Sequence, residues 1–138
     1  MRQLRVRGPG DGFDADEDLI RLPLGIDIRV LTGGSRRRSS LRRGTVGRNP
    51  DGSAATGPYA QARRALEIIG AALIEAGGSV DDVVRTRIFV TDFGDFEEIA
   101  RAHREVFGEI RPATSMVQTS ALIEPAYVLE IEADAVIG

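Results

Sequence analysis

Two stretches of the chain carry apolar residues at the spacing of one helix face. The first begins near Pro58, a residue favoured in a first helical turn, and stops at Gly77. Its apolar positions are Ala62, Leu66, Ile69, Leu73 and Ala76. The second begins at Asp92 or Asp95, either of which is a suitable cap, and ends at Gly108. Its apolar positions are Phe96, Ile99, His103 and either Val106 or Phe107. The spacing predicts two amphipathic helices.

Segments of alternating polarity predict the strands that accompany these helices. One lies at 25–31, another lies at 84–90, and two more lie within 111–135, joined by a short connection that contains Pro125. In the strand at 84–90, one face carries Val84, Thr86, Ile88 and Val90. In the last strand, one face carries Glu130, Glu132 and Asp134, and the other carries Leu129, Ile131 and Ala133. A continuous acidic face on an interior strand requires something that covers it.

The predicted elements run strand, helix, strand, helix, strand, strand after a less regular beginning. One sheet of about five to six strands with both helices on one face is the economical way to bury these stripes, which gives an α+β fold. The chain has 138 residues, of which 42% are apolar and 28% charged. These values are typical of a single globular domain spanning 1–138.

The first 43 residues fit this pattern poorly. Residues 1–25 are rich in Gly, Asp and Arg and predict a loop or a frayed terminus. Residues 35–48 hold six Arg and no acid, and within 36–43 only Leu41 offers an apolar side chain for burial. Three explanations stay open: a strand at an exposed sheet edge, a divergent or partly disordered N-terminal part spanning 1–43, or a reading-frame error in an Arg- and Gly-biased coding region.

The residue types that are absent exclude several kinds of chemistry. There is no Cys, no Lys and one His, so thiolate, Schiff-base and multi-histidine zinc sites are excluded. The remaining polar types favour acid–base hydrolysis or pure binding, without a metal or a cofactor. The net charge of −3 argues against nucleic acid as a partner of the whole chain. No apolar run reaches the roughly 18 residues of a membrane span, and the N-terminus lacks a signal-peptide core, so we expect a cytoplasmic protein.

Five motifs in order resemble the reactive intermediate deaminase family, also called Rid or YjgF-like. They are PYAQARRALEIIGAALIEAGG, SVDDVVRTRIFV, TDFGDFEEIARAHREVFG, RPATSM and VLEIEADA. They look like the family's first helix, its DDVV-plus-strand unit, its second helix, its PAxS strand and its final EIEA strand. The resemblance spans roughly residues 44–137 and implies a chorismate-mutase-like fold, with a mixed sheet backed by two helices and assembled as a homotrimer. Neighbouring subunits would then bury the helix-free face of the sheet.

Glu130 is the catalytic candidate that this resemblance implies. The first Glu of the family's EIEA strand lies in a cleft between subunits, where it is thought to orient or activate water on an imine. A partly buried carboxylate suits this work, because hydrolysis of an imine or enamine needs a proton shuttle and a positioned water. The alternative is that Glu130 pairs with an interface Arg and only holds the trimer together. We expect Glu132 and Asp134 to be solvated or salt-bridged.

Thr114 departs from the family pattern. Active members have an Arg at this position, which holds a substrate carboxylate through two parallel hydrogen bonds, whereas Thr offers one neutral donor. Arg111 does not replace it in this interpretation, because a three-residue offset along a strand leads to the opposite face. Arg87 on a neighbouring strand could reach the site, but a surface role is the simpler interpretation.

The other candidates for substrate binding are Gly44, Ala100, Ser115 and Met116. Ala100 replaces an Asn that many active members use, and Met116 stands where they often have Cys, which suggests an apolar pocket wall. Gly44 looks like the glycine of the family's Ser-Gly and would supply a backbone amide. His103 lies on the apolar stripe of its helix, where a satisfied core or interface histidine is the favoured interpretation and a role in the pocket is the alternative.

Three functions remain open. The first is a homotrimeric hydrolase that acts on small imines or enamines, with Glu130 positioning water in an intersubunit cleft. The second is a non-catalytic trimer that is structural or binds a small, uncharged molecule. The third is RNA binding through Arg36–Arg43, which has no interleaved aromatic residue on which bases could stack.

Overall fold

The structure, a computed structural model, describes residues 19–21, 27–33 and 36–41 by their backbone and residues 44–137 in full. The strands are β1 (Leu19–Arg21), β2 (Asp27–Gly33), β3 (Arg36–Leu41), β4 (Val83–Val90), β5 (Ala113–Gln118) and β6 (Leu129–Ile137). The helices are α1 (Pro58–Glu75) and α2 (Phe96–Phe107). One-turn 3-10 helices at Val80–Asp82 and Phe93–Asp95 precede β4 and α2.

The strands form one sheet in the order β1-β2-β3-β6-β4-β5. The pair β4–β5 is parallel and the other pairs are antiparallel, so the sheet is mixed. The predicted α+β class, with two helices and a mixed sheet, is therefore confirmed. β5 lies at one edge and pairs with β4, which pairs with β6 on its other side.

The N-terminal strands correct two expectations. β3 pairs with β2 on one side and with β6 on the other, so the explanation that it lies at an exposed edge is wrong. β1 lies within 1–25, where a loop or frayed terminus was expected. The predicted strand at 25–31 corresponds to β2, which runs two residues further. The side chains of Arg36–Arg43 and most of residues 1–26 lie outside the described residues, so the divergence of 1–43 stays a prediction.

Helix α1 has the boundaries that its sequence predicts. Pro58 stands in the first turn after Gly57, and the chain leaves the helix through Gly77, whose φ of 86° is readily adopted only by glycine. Four of the five residues of the predicted stripe are buried and Ala76 is partly buried. Two further alanines are also buried, so the buried apolar residues are Ala62, Ala65, Leu66, Ile69, Ala72 and Leu73. This stripe packs against the sheet and against α2.

Both helices pack on the same face of the sheet. α2 contributes Ile99, Ala102 and Phe107 to the core, and β6 contributes Leu129, Ile131, Ala133 and Ala135. Burial along β6 follows the alternation of a strand. Every second residue from Leu129 to Ala135 is buried, and the acidic residues between them are partly exposed. Burial of this apolar surface is the main source of stability for a domain of this size.

A bulge in β4 changes which valine faces the core. The pairing with β6 shifts between Val83 and Arg85, so Val83 is only 3% exposed whereas Val84 is 45% exposed. The prediction that Val84 shares a face with Thr86, Ile88 and Val90 is therefore wrong, because the alternation slips by one residue at the bulge. Phe96 also departs from its predicted stripe, since it is 48% exposed.

Candidate functional site

The helix-free face of β4 and β6 carries paired charges. Arg87 Nη2 lies 3.0 Å from Glu132 Oε2, and Arg85 Nε donates to Asp134 Oδ2 at 2.7 Å. These cross-strand pairs agree with the expectation that Glu132 and Asp134 are salt-bridged. Arg87 is therefore engaged with its strand neighbour on the same face as Glu130. The pairs are partly exposed, so they contribute modestly to stability.

Glu130 occupies a different environment from the other two acids. Its partner on β4 is Phe89, and no ion pair joins it to a cation within the residues whose side chains are described. Burial, followed by the negative charge of Glu132, raises the pKa of Glu130 above its usual value. A carboxyl group with a raised pKa is better suited to exchange protons near neutral pH than an ordinary surface glutamate.

Gly44 lies directly against Glu130. Thr45 exchanges two backbone hydrogen bonds with Ile131, at 2.8 and 2.9 Å, and this pairing brings residue 44 to the Glu130 side chain. A Cβ atom on Gly44 would overlap the Glu130 carboxyl group. The structure thus brings together two of the predicted site residues from opposite ends of the family-like segment.

A second group of predicted residues lies on the other face of the sheet. An open cleft of about 420 Å³ separates α2 from the edge formed by β4 and β5. Thr114 and Met116 line it from β5, and Ala100 lines it from α2. The remaining lining residues are Ile88, Phe96, His103, Arg104, Phe107, Gly108, Arg111 and Pro112.

A chain of hydrogen bonds links the floor of this cleft to α2. Thr114 Oγ1 donates to the Pro112 carbonyl at 3.0 Å and lies 2.9 Å from the Oγ1 of buried Thr86, which lies 3.0 Å from His103 Nε2. Each hydroxyl has one proton, so all three bonds form together only if Thr86 donates to Thr114 and His103 Nε2 donates to Thr86. The arrangement therefore selects the His103 tautomer that is protonated at Nε2.

His103 is both satisfied and part of the cleft. Its ring lies against Phe107 with a centroid distance of 4.8 Å. Burial lowers the pKa of His103 below its usual value, which favours the neutral imidazole at pH 7. Both interpretations of this residue therefore hold in part, since it bonds to a core threonine and also borders a pocket.

Arg111 lies where the sequence did not predict it. It was expected on the opposite face from Thr114, and this is wrong, because both residues line the same cleft. Arg111 precedes β5 rather than belonging to it, and its φ of 53° breaks the alternation on which the expectation relied. Phe96 and Arg104 were also missed as lining residues. A positive φ at an arginine leaves no signal in the sequence.

The predicted site residues therefore fall into two groups on opposite faces. Glu130, Gly44 and Arg87 lie on the helix-free face, together with Ser115, which is the register partner of Arg87. Ala100, Thr114 and Met116 line the helix-side cleft. Within one chain the sheet itself separates the two groups.

Two further observations concern the described residues only. Within 44–137, no three His, Asp or Glu side chains converge in a way that could bind a metal ion. Neither α1 nor α2 combines the length and the apolar character that crossing a membrane would require.

Several known proteins are similar to this chain. The curated 3-aminoacrylate deaminase RutC of Acinetobacter baylyi is 42% identical over 72 residues, which cover 52% of this chain and 56% of the relative. The RutC family protein UK114 of Drosophila melanogaster is 38% identical over 82 residues, or 59% of each chain. The chain thus matches a little under three fifths of the length of each of these relatives.

Solved structures match over a larger share. A YjgF/YER057c/UK114 family protein from Mycobacterium tuberculosis is 38% identical with a TM-score of 0.64, and the match covers 78% of this chain and 98% of that one. TdcF from E. coli, solved with bound serine, is 32% identical with a TM-score of 0.67, covering 79% and 86%. The family model described as Endoribonuclease L-PSP matches residues 41–137. Because that match spans well over half of the chain, this protein belongs to the endoribonuclease L-PSP family, which is the YjgF/UK114 or Rid family that its motifs resemble.

Proposed function

We propose that this protein is a deaminase-type hydrolase of small imines or enamines, acting at a site between two subunits. One subunit supplies Glu130 with Gly44, and its neighbour supplies the cleft that contains Thr114. The observation that carries the proposal is the environment of Glu130, whose pKa is raised by burial and by Glu132. The relative named 3-aminoacrylate deaminase supports the same reaction class.

The proposed reaction needs one carboxylate and one water. Glu130 accepts a proton from water as the water oxygen bonds to the imine carbon, and it passes that proton to the imine nitrogen, which gives a carbinolamine. Glu130 then accepts the hydroxyl proton of the carbinolamine and delivers it to the nitrogen as the carbon–nitrogen bond breaks, and the products are a carbonyl compound and ammonia. A raised pKa suits both steps, because the same group must take up and release a proton near neutral pH.

A homotrimer is the proposed assembly. Glu130 and Thr114 lie on opposite faces of one sheet, so a ligand can contact both only if a second subunit contributes one of them. Phe93, Phe96 and Val117, which are partly exposed beside the cleft and on the edge strand, offer apolar surface for such contacts. Light scattering coupled to size-exclusion chromatography measures the mass directly. A monomer at working concentration would contradict the proposed site.

The activity test uses imines generated in situ by an amino-acid oxidase. Acceleration of keto-acid and ammonia release by the wild-type protein, and its loss in Glu130→Gln, is the expected result. Glu75→Gln is the matched control, since Glu75 is exposed at the end of α1. Equal rates for the wild type and Glu130→Gln, or no acceleration by the wild type, would contradict the proposal for these substrates.

A non-catalytic binding trimer is the alternative, and Thr114 is the observation that favours it. Without the family's Arg at this position, the cleft has lost the contact that holds a substrate carboxylate in active members. The alternative predicts ligand-induced thermal stabilisation without turnover, at equal strength in the wild type and Glu130→Gln. RNA binding through Arg36–Arg43 stays a prediction, because the side chains of that segment are not described.

A further inference from the structure

The turn that closes the cleft holds Arg111 in an unusual conformation. Its φ of 53° lies in the left-handed region, and it is the only non-glycine residue with a positive φ within the described part of the chain. Two contacts fix it: the Arg111 amide donates to the Phe107 carbonyl at 2.8 Å, and its Nε donates to the Gly108 carbonyl at 3.3 Å. Strained conformations of this kind concentrate at functional sites.

These contacts leave the end of the guanidinium available. Only Nε is used by the Gly108 carbonyl, and neither terminal nitrogen has a hydrogen-bond partner among the described residues. The side chain is exposed and borders the cleft beside Thr114. A guanidinium whose Nε is anchored retains two terminal nitrogens, with four N–H donors, that can meet the two oxygens of an anion.

Within one subunit, the charged residues that line the cleft are all basic. Its lining includes Arg111 and Arg104 but neither Asp nor Glu. His103 adds no charge at pH 7, since burial lowers its pKa. The walls are mostly apolar and include Phe96, Phe107 and Met116. Two arginines that line a mostly apolar pocket favour an anionic ligand that has an apolar body.

We propose that this cleft binds a small organic anion, and that Arg111 is the residue that selects the negative charge. The sequence suggested an uncharged ligand because Thr114 lacks the family's guanidinium, but Arg111 brings one into the same cleft from the preceding turn. The inference deepens the proposed function. It rests on that function in one respect, which is that this cleft is the ligand site. It names a carboxylate-bearing substrate in place of a neutral one.

The test compares two probes of nearly the same shape, one anionic and one neutral. Calorimetric titration with 2-oxobutanoate and with its neutral amide, 2-oxobutanamide, measures the preference of the wild-type protein for the anion. We expect the acid to bind at least about tenfold more tightly, the scale of one charge-assisted hydrogen-bonded contact. Arg111→Gln should remove most of this preference, and Arg104→Gln should reduce it less.

Two variants guard against misfolding and against a general charge effect. Arg111→Gly removes the guanidinium but suits a positive φ, so it should keep the wild-type circular dichroism and unfolding midpoint while losing the preference. Arg101→Gln removes a charge from the same helix outside the cleft, where Arg101 stacks on Tyr59, and should bind like wild type. Raised salt should weaken binding of the acid and not of the amide.

The outcomes separate this inference from the proposed function. Equal binding of acid and amide by the wild type, failure of both probes to bind, or wild-type affinity in Arg111→Gly would overturn the role of Arg111. Loss of the preference in the Arg111 variants, without any turnover of imines, would leave the anion site standing and remove the hydrolase. Turnover that depends on Glu130 but not on Arg111 would support the hydrolase and remove the role of Arg111 in selecting an anion.

Discussion

Gly44 lies against the carboxyl group of Glu130 so closely that a Cβ atom at residue 44 would occupy the same space. The contact is built by the short backbone bridge between Thr45 and Ile131, which aligns the segment after β3 with the last strand. A glycine is required here for proximity, because any side chain would have to displace the carboxylate or the backbone.

Gly44→Ala should therefore move the Glu130 carboxyl group and lower imine turnover by about tenfold or more, since displacement of a reacting group by about 1 Å can cost about a hundredfold in rate. Steady-state kinetics and circular dichroism check the expectation together. The matched control is Gly70→Ala. Gly70 lies within α1, and a Cβ atom there would meet only the Val80 side chain, at 3.6 Å. That variant should keep its activity and gain up to about 1 kcal/mol of stability. Unchanged kinetics in Gly44→Ala would count against the role of Glu130.

Glu130→Gln should unfold at the same temperature as wild type or higher at pH 7.5. The pKa of Glu130 is raised in the folded protein, so folding favours its protonated form, and the ionised form costs stability above the pKa. The neutral amide avoids this cost. Thermal unfolding from pH 7.5 to pH 4 should show the advantage of the variant shrinking as Glu130 becomes protonated in the wild type. A variant that is less stable at pH 7.5 would indicate that Glu130 is held by a favourable ion pair.

The lowered pKa of His103 predicts that the folded protein loses stability just below neutral pH. Burial lowers its pKa in the folded state, so below about pH 6.5 the unfolded chain takes up a proton that the folded protein does not bind. Stability should therefore fall as the pH decreases from 6.5 toward the lower pKa of the folded state. Urea unfolding between pH 7.5 and 5.5 measures this slope.

His103→Gln serves as the comparison for that slope. The variant keeps a donor near Thr86 and cannot titrate, so its stability should change less with pH over the same interval. A replacement of His103 without a donor would leave the buried Thr86 hydroxyl without this partner, at a cost of about 1–3 kcal/mol. Identical slopes in the wild type and the variant would show that other groups dominate the pH dependence.

Thr114→Arg should raise the affinity of the cleft for 2-oxobutanoate, because it adds a guanidinium beside the one that Arg111 already supplies. In the background of Arg111→Gln it should restore part of the lost preference for the anion. Calorimetric titration of the single and double variants measures both effects. Failure of the double variant to regain any preference would mean that residue 114 does not reach the bound anion.

The helices could be predicted well because their signals are local. The start of α1 at Pro58 and its end before Gly77 depend on residues within one turn of each boundary. The alternation in β6 is equally local and was read correctly from the sequence. β4 was read less well, because the bulge at Val83–Arg85 arises from pairing with a strand some 45 residues away, which spacing along one strand does not reveal.

The candidate site was predicted only as a set of residues. The family-like motifs pointed to Glu130, Gly44 and Thr114, but not to their division between two faces of the sheet. The importance of Arg111 was missed, because the expectation extended strand geometry into a turn with a positive φ. The proposed preference for an anion thus rests on the three-dimensional cleft.

The sequence by itself determined the two helices, the apolar face of β6 and the common face of its three acids, because each of these follows from backbone periodicity over a few residues. Tertiary structure decided what those faces meet. Parallel pairing of β5 with β4 turned Thr114 toward Thr86 and α2, while antiparallel pairing of β6 left Glu130 beside Gly44 on the other face. Register between strands that are distant along the chain depends on packing of the whole sheet, so no local pattern could have supplied it.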